Sequence, residues 1–361
     1  MKIITTVGTS LLTNPPTTDD FGLSDEKYSD EVLKDTGFQN LVANFTRKAN
    51  SEGRKSCAEI ASIEKIDPSG QADIYLLCTE TVLSRACGEA LGNYFGERVK
   101  EVKVIEGLQV KNVKMFKDVG VVSLLNQLEK VAQNGVYWDD CVLNITGGYK
   151  AIIPMMTIIG QLKKLPTYYI FEESNVDKYE LIEIPIMPID YKTDVFEQYW
   201  EEFLKFGKDA DEIVNRKEIS DSFFNDCSGC FEAAGEDLVL NPVGKILWWN
   251  YRSEFFIFYS SERIYKELLS KNRLLDYFKQ SFSQEALRDS NNVCEGTHKT
   301  VMKKFHDTLR IYWFSKNNEI YVYKIFEDHD AHEKFINSTQ FTSDFESEII
   351  QSSILNRIKT K

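Results

Sequence analysis

The chain has 361 residues, 42% hydrophobic and 27% charged, enough for about two or three ordinary domain cores. Its formal charge of −13 works against a nonspecific grip on long nucleic acid. No apolar run reaches membrane-span length and no secretory signal pattern opens the chain, so a cytoplasmic protein with no membrane partner is expected; seven dispersed cysteines agree with reduced thiols.

In chain order, strand-like runs stand at 2–7 (KIITTV), 72–78 (ADIYLLC), 102–105 (VKVI), 141–146 (CVLNIT), 167–171 (TYYIF) and 179–184 (YELIEI). Amphipathic stretches at 29–51, 82–95, 121–133 and 150–164 separate them. Strands alternating with helices predict βαβ units and a mainly parallel sheet, Rossmann-like in class, over residues 1–185. The two prolines of IPIMPIDYK at 184–192 read as a linker. A small winged-helix-like module is expected over 190–247, with a hairpin around Asn241-Pro242. Trp248-Trp249 reads as core or domain interface, and Cys227-Ser-Gly-Cys230 as a pair of structural thiols. Residues 248–340 are expected to be α+β: strand FFIFY, a helical region over 262–288, a basic strand, then strands 308–314 and 319–326 joined at Asn317-Asn318, then a short helix. Residues 341–361 are expected as a helical tail.

Charge follows this division. Residues 1–244 carry 25 Lys and Arg against 40 Asp and Glu, and residues 245–361 carry 18 against 16. Lys299, Lys303, Lys304, Arg310, Lys316 and Lys324 cluster with only Asp307 and Glu319 between them as acids.

Two motifs carry the first candidate chemistry. VGTSLLTN follows the first strand, and NITGGYKA ends a later strand and opens a helix. Ligands of open parallel sheets bind beyond the strands' carboxyl ends, where the strand order reverses. Glycines there let a ligand approach backbone N–H groups, a helix N-terminus favours phosphates, and Lys150 adds a full charge. The pattern is neither GxxxxGK[ST] nor GxGxxG. Together the two motifs resemble the CRISPR-associated Rossmann-fold (CARF) sensor domains of type III CRISPR defence. The resemblance covers about residues 1–185. It implies a homodimer that binds a cyclic oligoadenylate, cyclic tetra-adenylate above all, through Gly8, Thr9, Ser10, Asn144, Thr146, Gly147, Gly148 and Lys150, with Thr79-Glu80-Thr81 as a weaker candidate. Some relatives also cleave their activator; the resemblance makes Ser10 and Lys150 candidates to assist such cleavage, and the sequence leaves that activity open.

The back half lacks the Arg-x4–6-His of HEPN ribonucleases and a convincing Asp…(Asp/Glu)-x-Lys nuclease set. THKTVMKKFHDTLRIYWFSKNNEIYVYKIFEDHDAHEKFI is similar to the RelE superfamily of mRNA interferases. That resemblance implies metal-independent cleavage of mRNA in the ribosomal A site. Arg310 would stabilise the crowded phosphate, with Lys303 and Lys304 as further cations. His329, then His332, would be the acid, and His298 is a further catalytic candidate. Sensor, middle module and nuclease together resemble the CRISPR-associated mRNA interferases. A ligand-responsive winged-helix regulator and a ring nuclease that destroys the messenger are the alternative functions.

Overall fold

The computed structural model describes residues 1–9, 11, 36–108, 113–132, 138–171, 179–187, 194–207, 210–284, 288, 292–295, 298–302, 309–317, 319–339 and 341–360. They form two units, Met1–Tyr251 and Arg252–Lys361.

The first unit is built on a six-stranded sheet of order β3-β2-β1-β4-β5-β6, with strands β1 (Lys2–Val7), β2 (Asp73–Cys78), β3 (Val99–Val104), β4 (Cys141–Asn144), β5 (Thr167–Phe171) and β6 (Glu180–Glu183). All pairings are parallel except β5–β6. Alternation along β1 sends Ile3 and Val7 into a core shared with α1 (Thr36–Glu52), α2 (Ala58–Ile66) and α3 (Val82–Phe95). Ile4 points to the opposite core, with α4 (Val121–Val131) and α5 (Ile152–Lys163). The sheet is thus covered on both faces, as its near-continuous apolar strands require.

Helix α2 is absent from the sequence reading. Ala58 through Ile63 are all buried, so no polar stripe marks a helical period.

The middle segment, α6 (Asp194–Gln198), α7 (Trp200–Leu204), β7 (Val214–Asn215), α8 (Asp221–Asp226), β8 (Phe231–Ala234), β9 (Asp237–Leu240) and α9 (Pro242–Arg252), contributes a three-stranded sheet of order β7-β9-β8. The hairpin expected at Asn241-Pro242 lies earlier, at Gly235, where φ is 73°. Asn241 instead caps α9: its Oδ1 accepts from Gly244 N at 2.9 Å, and Pro242 takes the first helical position. Ile246 and Trp249 of α9 sit in the same core as α4 and α5, so this segment packs into the first unit. Trp248 and Trp249 are both buried, as expected.

The second unit is a six-stranded sheet of order β11-β12-β13-β14-β10-β15. Its elements are β10 (Phe255–Ser260), α10 (Glu262–Ser270), α11 (Asn272–Tyr277), β11 (Asn292–Glu295), β12 (His298–Met302), β13 (Arg310–Lys316), β14 (Glu319–Phe326), α12 (His329–Ser338), α13 (Ser343–Ser352) and β15 (Ile354–Lys359). Only β10–β14 is parallel. The turn into β14 uses Asn317 at φ 53°, the left-handed conformation asparagine tolerates. The helical tail expected over 341–361 is half wrong. After α13 the chain re-enters the sheet as β15, antiparallel to β10, with Asn356 and Ile358 facing inward. Ile311, Trp313 and Val322 face a core with α10 and α11. Tyr312 and Phe326 face an aromatic cluster with Phe335 and Phe341. Among the described residues, no helix is long and apolar enough to cross a membrane, and six cysteines carry thiols rather than disulfides.

Candidate ligand site and candidate nuclease face

Strand order turns at β1: one branch runs to β2 and β3, the other to β4, β5 and β6. The crevice beyond the carboxyl ends of β1 and β4 is therefore the switch point of this sheet. Gly8 leaves β1 there, and Thr146-Gly147-Gly148 leaves β4 there.

The two loops touch. A methyl group on Gly8 would lie 2.7 Å from Gly148 N, and one on Gly148, whose φ is 96°, would lie 2.9 Å from Thr6 Cβ. Thr6 Oγ1 also donates to the Gly147 carbonyl. The glycines are thus required by contact between two pieces of backbone, before any ligand is considered.

Glu59, on α2, fills the floor of this junction. It is 1% exposed, and its Oε1 accepts from Gly8 N at 2.8 Å. A methyl on Gly147 would fall 2.1 Å from the same oxygen. Sequence reasoning missed this residue. The available signal was an acid embedded in the run Ala58-Glu59-Ile60-Ala61, with no polar face to hold it.

Asn144 and Thr146 were expected at the ligand, and in the structure both side chains are buried and engaged within the sheet. Asn144 is 0% exposed; its Nδ2 donates to Ser62 Oγ at 2.7 Å and Thr5 Oγ1 at 3.3 Å, and its Oδ1 accepts from Thr146 N at 3.3 Å. The Thr146 hydroxyl accepts from Ile170 N at 3.0 Å. Both side chains bind strand to strand and strand to helix. The weaker candidates behave alike: Thr81 caps α3 through Ser84 N, and buried Glu80 accepts from Gly107 N at 3.1 Å. Ser10 lies outside the described residues.

What faces outward is narrower than the expected set. Gly8, Gly147 and Gly148 are half-buried, while Thr9 and Lys150 are exposed. Among the described residues the site offers backbone of Gly147 and Gly148, the Thr9 hydroxyl and the Lys150 ammonium, a combination suited to an anion, while the Gly8 N–H is held by Glu59. The thiols behind it are inert. Burial, then the Glu59 carboxylate, pushes Cys57 well up, and burial pushes Cys78 up to about 12.

Residues 54–187, about a third of the chain, match the model of a family described as CRISPR-associated protein (Cas_APE2256). That span includes Glu59 and the loop after β4, and excludes the loop after β1. No curated protein matches the chain.

In the second unit, β13 is an inner strand between β12 and β14. Arg310 opens it, opposite Phe326, and is 7% exposed. By alternation it shares a face with Tyr312. Tyr312 Oη and His332 Nε2 are 2.7 Å apart, and His332 is 3% exposed. His332, the second candidate for the acid, is therefore a packed residue bonded to the sheet. His329, the first residue of α12, is exposed, with Nδ1 3.7 Å from Glu333 Oε1. Lys303 and Lys304 lie outside the described residues, and His298 is described only as a position on β12. Tyr312, which sequence reasoning did not single out, is the residue on β13 that engages His332.

Proposed function

We propose that the chain is an effector of CRISPR defence whose N-terminal domain senses a cyclic oligoadenylate and whose C-terminal unit is a RelE-like ribonuclease acting on ribosome-bound mRNA. One observation carries the sensor half. The loops after β1 and β4 meet at the switch point of a doubly covered sheet, and the second of them lies in the segment similar to a CRISPR-associated family. Backbone of Gly147 and Gly148, with Thr9 and Lys150, would meet the ligand's phosphates, and Gly8, its N–H held by Glu59, would let the ligand approach closely. In a homodimer the two copies would face one symmetric ring, and cyclic tetra-adenylate is the first candidate.

For the nuclease half, the order strand, two helices, four strands, helix (β10-α10-α11-β11-β12-β13-β14-α12), with the basic residue Arg310 on an inner strand, supports the RelE-like reading. The reaction on this reading is attack of an RNA 2′-oxygen on the adjacent phosphorus as its proton passes to a base. The 5′-oxygen then leaves with a proton from an acid. Arg310 stabilises the phosphate. His329 is the acid, because Tyr312 engages His332. Ligand binding activates only if the active arrangement binds it more tightly than the resting one.

The test is a purified translation reaction with one defined mRNA, with and without cyclic tetra-adenylate, mapped by primer extension beside free mRNA. Activator-dependent cuts on ribosome-bound message, lost in Arg310→Ala and Arg310→Lys, are expected. Intact cutting by Arg310→Ala would overturn the nuclease site. Ligand binding without any cutting would leave the sensor and remove the nuclease.

A further inference from the structure

We infer that α12 and β13 form a binding site for one divalent transition-metal ion, of the zinc class, with His329, His332 and Glu333 as ligands. The inference does not depend on the ribonuclease reading. His329, His332 and Glu333 stand at i, i+3 and i+4 on α12, so they share one face of a single turn. One donor atom from each lies within 4.8 Å of the others. His329 Nδ1 and Glu333 Oε1 are already 3.7 Å apart, close to the separation of about 3.4 Å that metal–ligand bonds of about 2.1 Å give around a tetrahedral ion.

The ligand chemistry selects the metal class. Two imidazoles and a carboxylate suit zinc and its borderline neighbours, and are poor for magnesium or calcium, which take oxygen ligands. Three protein ligands leave a position for water or a substrate oxygen.

The surroundings resemble a built site more than a chance surface pair. His332 is buried, and its ring is held by Tyr312 Oη at Nε2 and by Phe326, whose ring is 5.8 Å away. With Nε2 engaged, Nδ1 is the metal ligand we assign. A partner that fixes one ring nitrogen orients the other for a metal, and such partners typically alter affinity about 10–100-fold when removed. Tyr312 is thus a positioning residue on the sheet. The helix dipole alone would oppose a cation at the first turn of α12. Asp328, Asp330 and Glu333 offset it, and the Asp328 carboxylate is itself fixed as the cap by Asp330 N at 2.6 Å.

The rival thiol pair is a poorer site. Among the described residues no third His, Cys, Asp or Glu donor is grouped with Cys227 and Cys230, so the pair supplies only two ligands where a zinc site takes three or four.

The experiment titrates Co²⁺, then Zn²⁺ in competition, into the full chain carrying Cys227→Ser and Cys230→Ser, and follows the cobalt ligand-field bands. One equivalent per chain is expected, with no sulfur-to-cobalt charge-transfer band. His329→Ala and Glu333→Gln, both exposed, are each expected to weaken binding at least about 10-fold, and Tyr312→Phe about 10–100-fold while stoichiometry stays at one. Absence of stoichiometric binding, or binding unaffected by His329→Ala and Glu333→Gln, overturns the site. Neither readout involves RNA, so failure of the metal site and failure of the ribonuclease reading are separate results. If the chain also cuts mRNA, zinc should inhibit it, because metal and leaving group would compete for His329.

Discussion

Gly147→Ala tests the junction beneath the ligand loops. The new methyl would lie 2.1 Å from Glu59 Oε1, 2.7 Å from Glu59 Cδ and 2.8 Å from the Thr6 carbonyl oxygen. Glu59 cannot swing into solvent, because it is 1% exposed and holds Gly8 N. Overpacking of this kind costs about 1–3 kcal/mol, and loss of the Gly8–Glu59 hydrogen bond adds about 1–3 kcal/mol. With about 4 kcal/mol as the centre of the summed range, the first unit's melting temperature should fall by roughly 8–16 °C. Calorimetry of the full chain reads this, with Gly229→Ala as control, since nothing lies within 4 Å of a methyl there. Glu59→Ala removes the obstructing carboxyl. Gly147→Ala combined with it should therefore be less destabilised than the two single changes added, by about 1–3 kcal/mol. Wild-type melting of Gly147→Ala, or additivity within about 0.5 kcal/mol, would refute the close packing of Gly147 on Glu59.

Three further outcomes follow from the same geometry. Asn144→Ala should destabilise the first unit by about 2–4 kcal/mol in urea unfolding, since it strands Ser62, Thr5 and Thr146 N in a buried site. Lys150→Ala should leave melting unchanged, because the side chain is exposed, yet weaken cyclic tetra-adenylate binding several-fold and flatten its salt dependence in calorimetric titration. Stability should decline in alkali. Cys78 and Cys227 are raised by burial from 9.0 to about 12, so their contribution is complete below pH 9 and is lost as pH rises from 9 towards 12, when the unfolded chain ionises first. Melting temperatures at pH 8 and above pH 10 check the sign, and Cys78→Ala should reduce the slope.

The inner strands of the first sheet were legible because each is a largely apolar run between turn residues. KIITTV and TYYIF coincide with β1 and β5. Helix α2 was not legible, because burial on every side removes the periodicity that announces a helix. Strand β15 was hidden by its mixed composition, ILNRIK, in a tail whose preceding segment is helical. Asn241-Pro242 has the same two residues as a turn, yet caps a helix; only the following helix decides between them. In the site, the glycines were legible and Glu59 was not. Asn144 and Thr146, read as ligand residues, hold neighbouring elements together in the structure. A polar residue at the end of an apolar strand has the same sequence signature whether it faces a ligand or ties neighbouring strands together.

The ligand loop is not mechanically isolated. Tyr149, between Gly148 and Lys150, packs edge-on against Phe116 at 5.9 Å. Phe116 opens the π-helical turn Phe116–Gly120 that leads into α4. The carbonyls of Lys117 and Asp118 in that turn accept from the buried Lys245 ammonium of α9 at 3.0 and 3.1 Å. Helix α5, which begins just after the loop, shares its core with Ile246 and Trp249 of the same α9. Two routes, one polar and one apolar, thus run from the loop to α9. A close-packed interior does not absorb a displaced ring by local compression, so movement of Tyr149 must shift its neighbours or be resisted by them. Helix α9 is the last element of the first unit, and the chain passes from it directly into β10. Any change that a ligand makes at Gly148–Lys150 therefore bears on the one helix from which the second unit's sheet begins. The buried Lys245 is the tie whose removal would separate the two routes: Lys245→Met keeps the apolar packing and deletes the polar link.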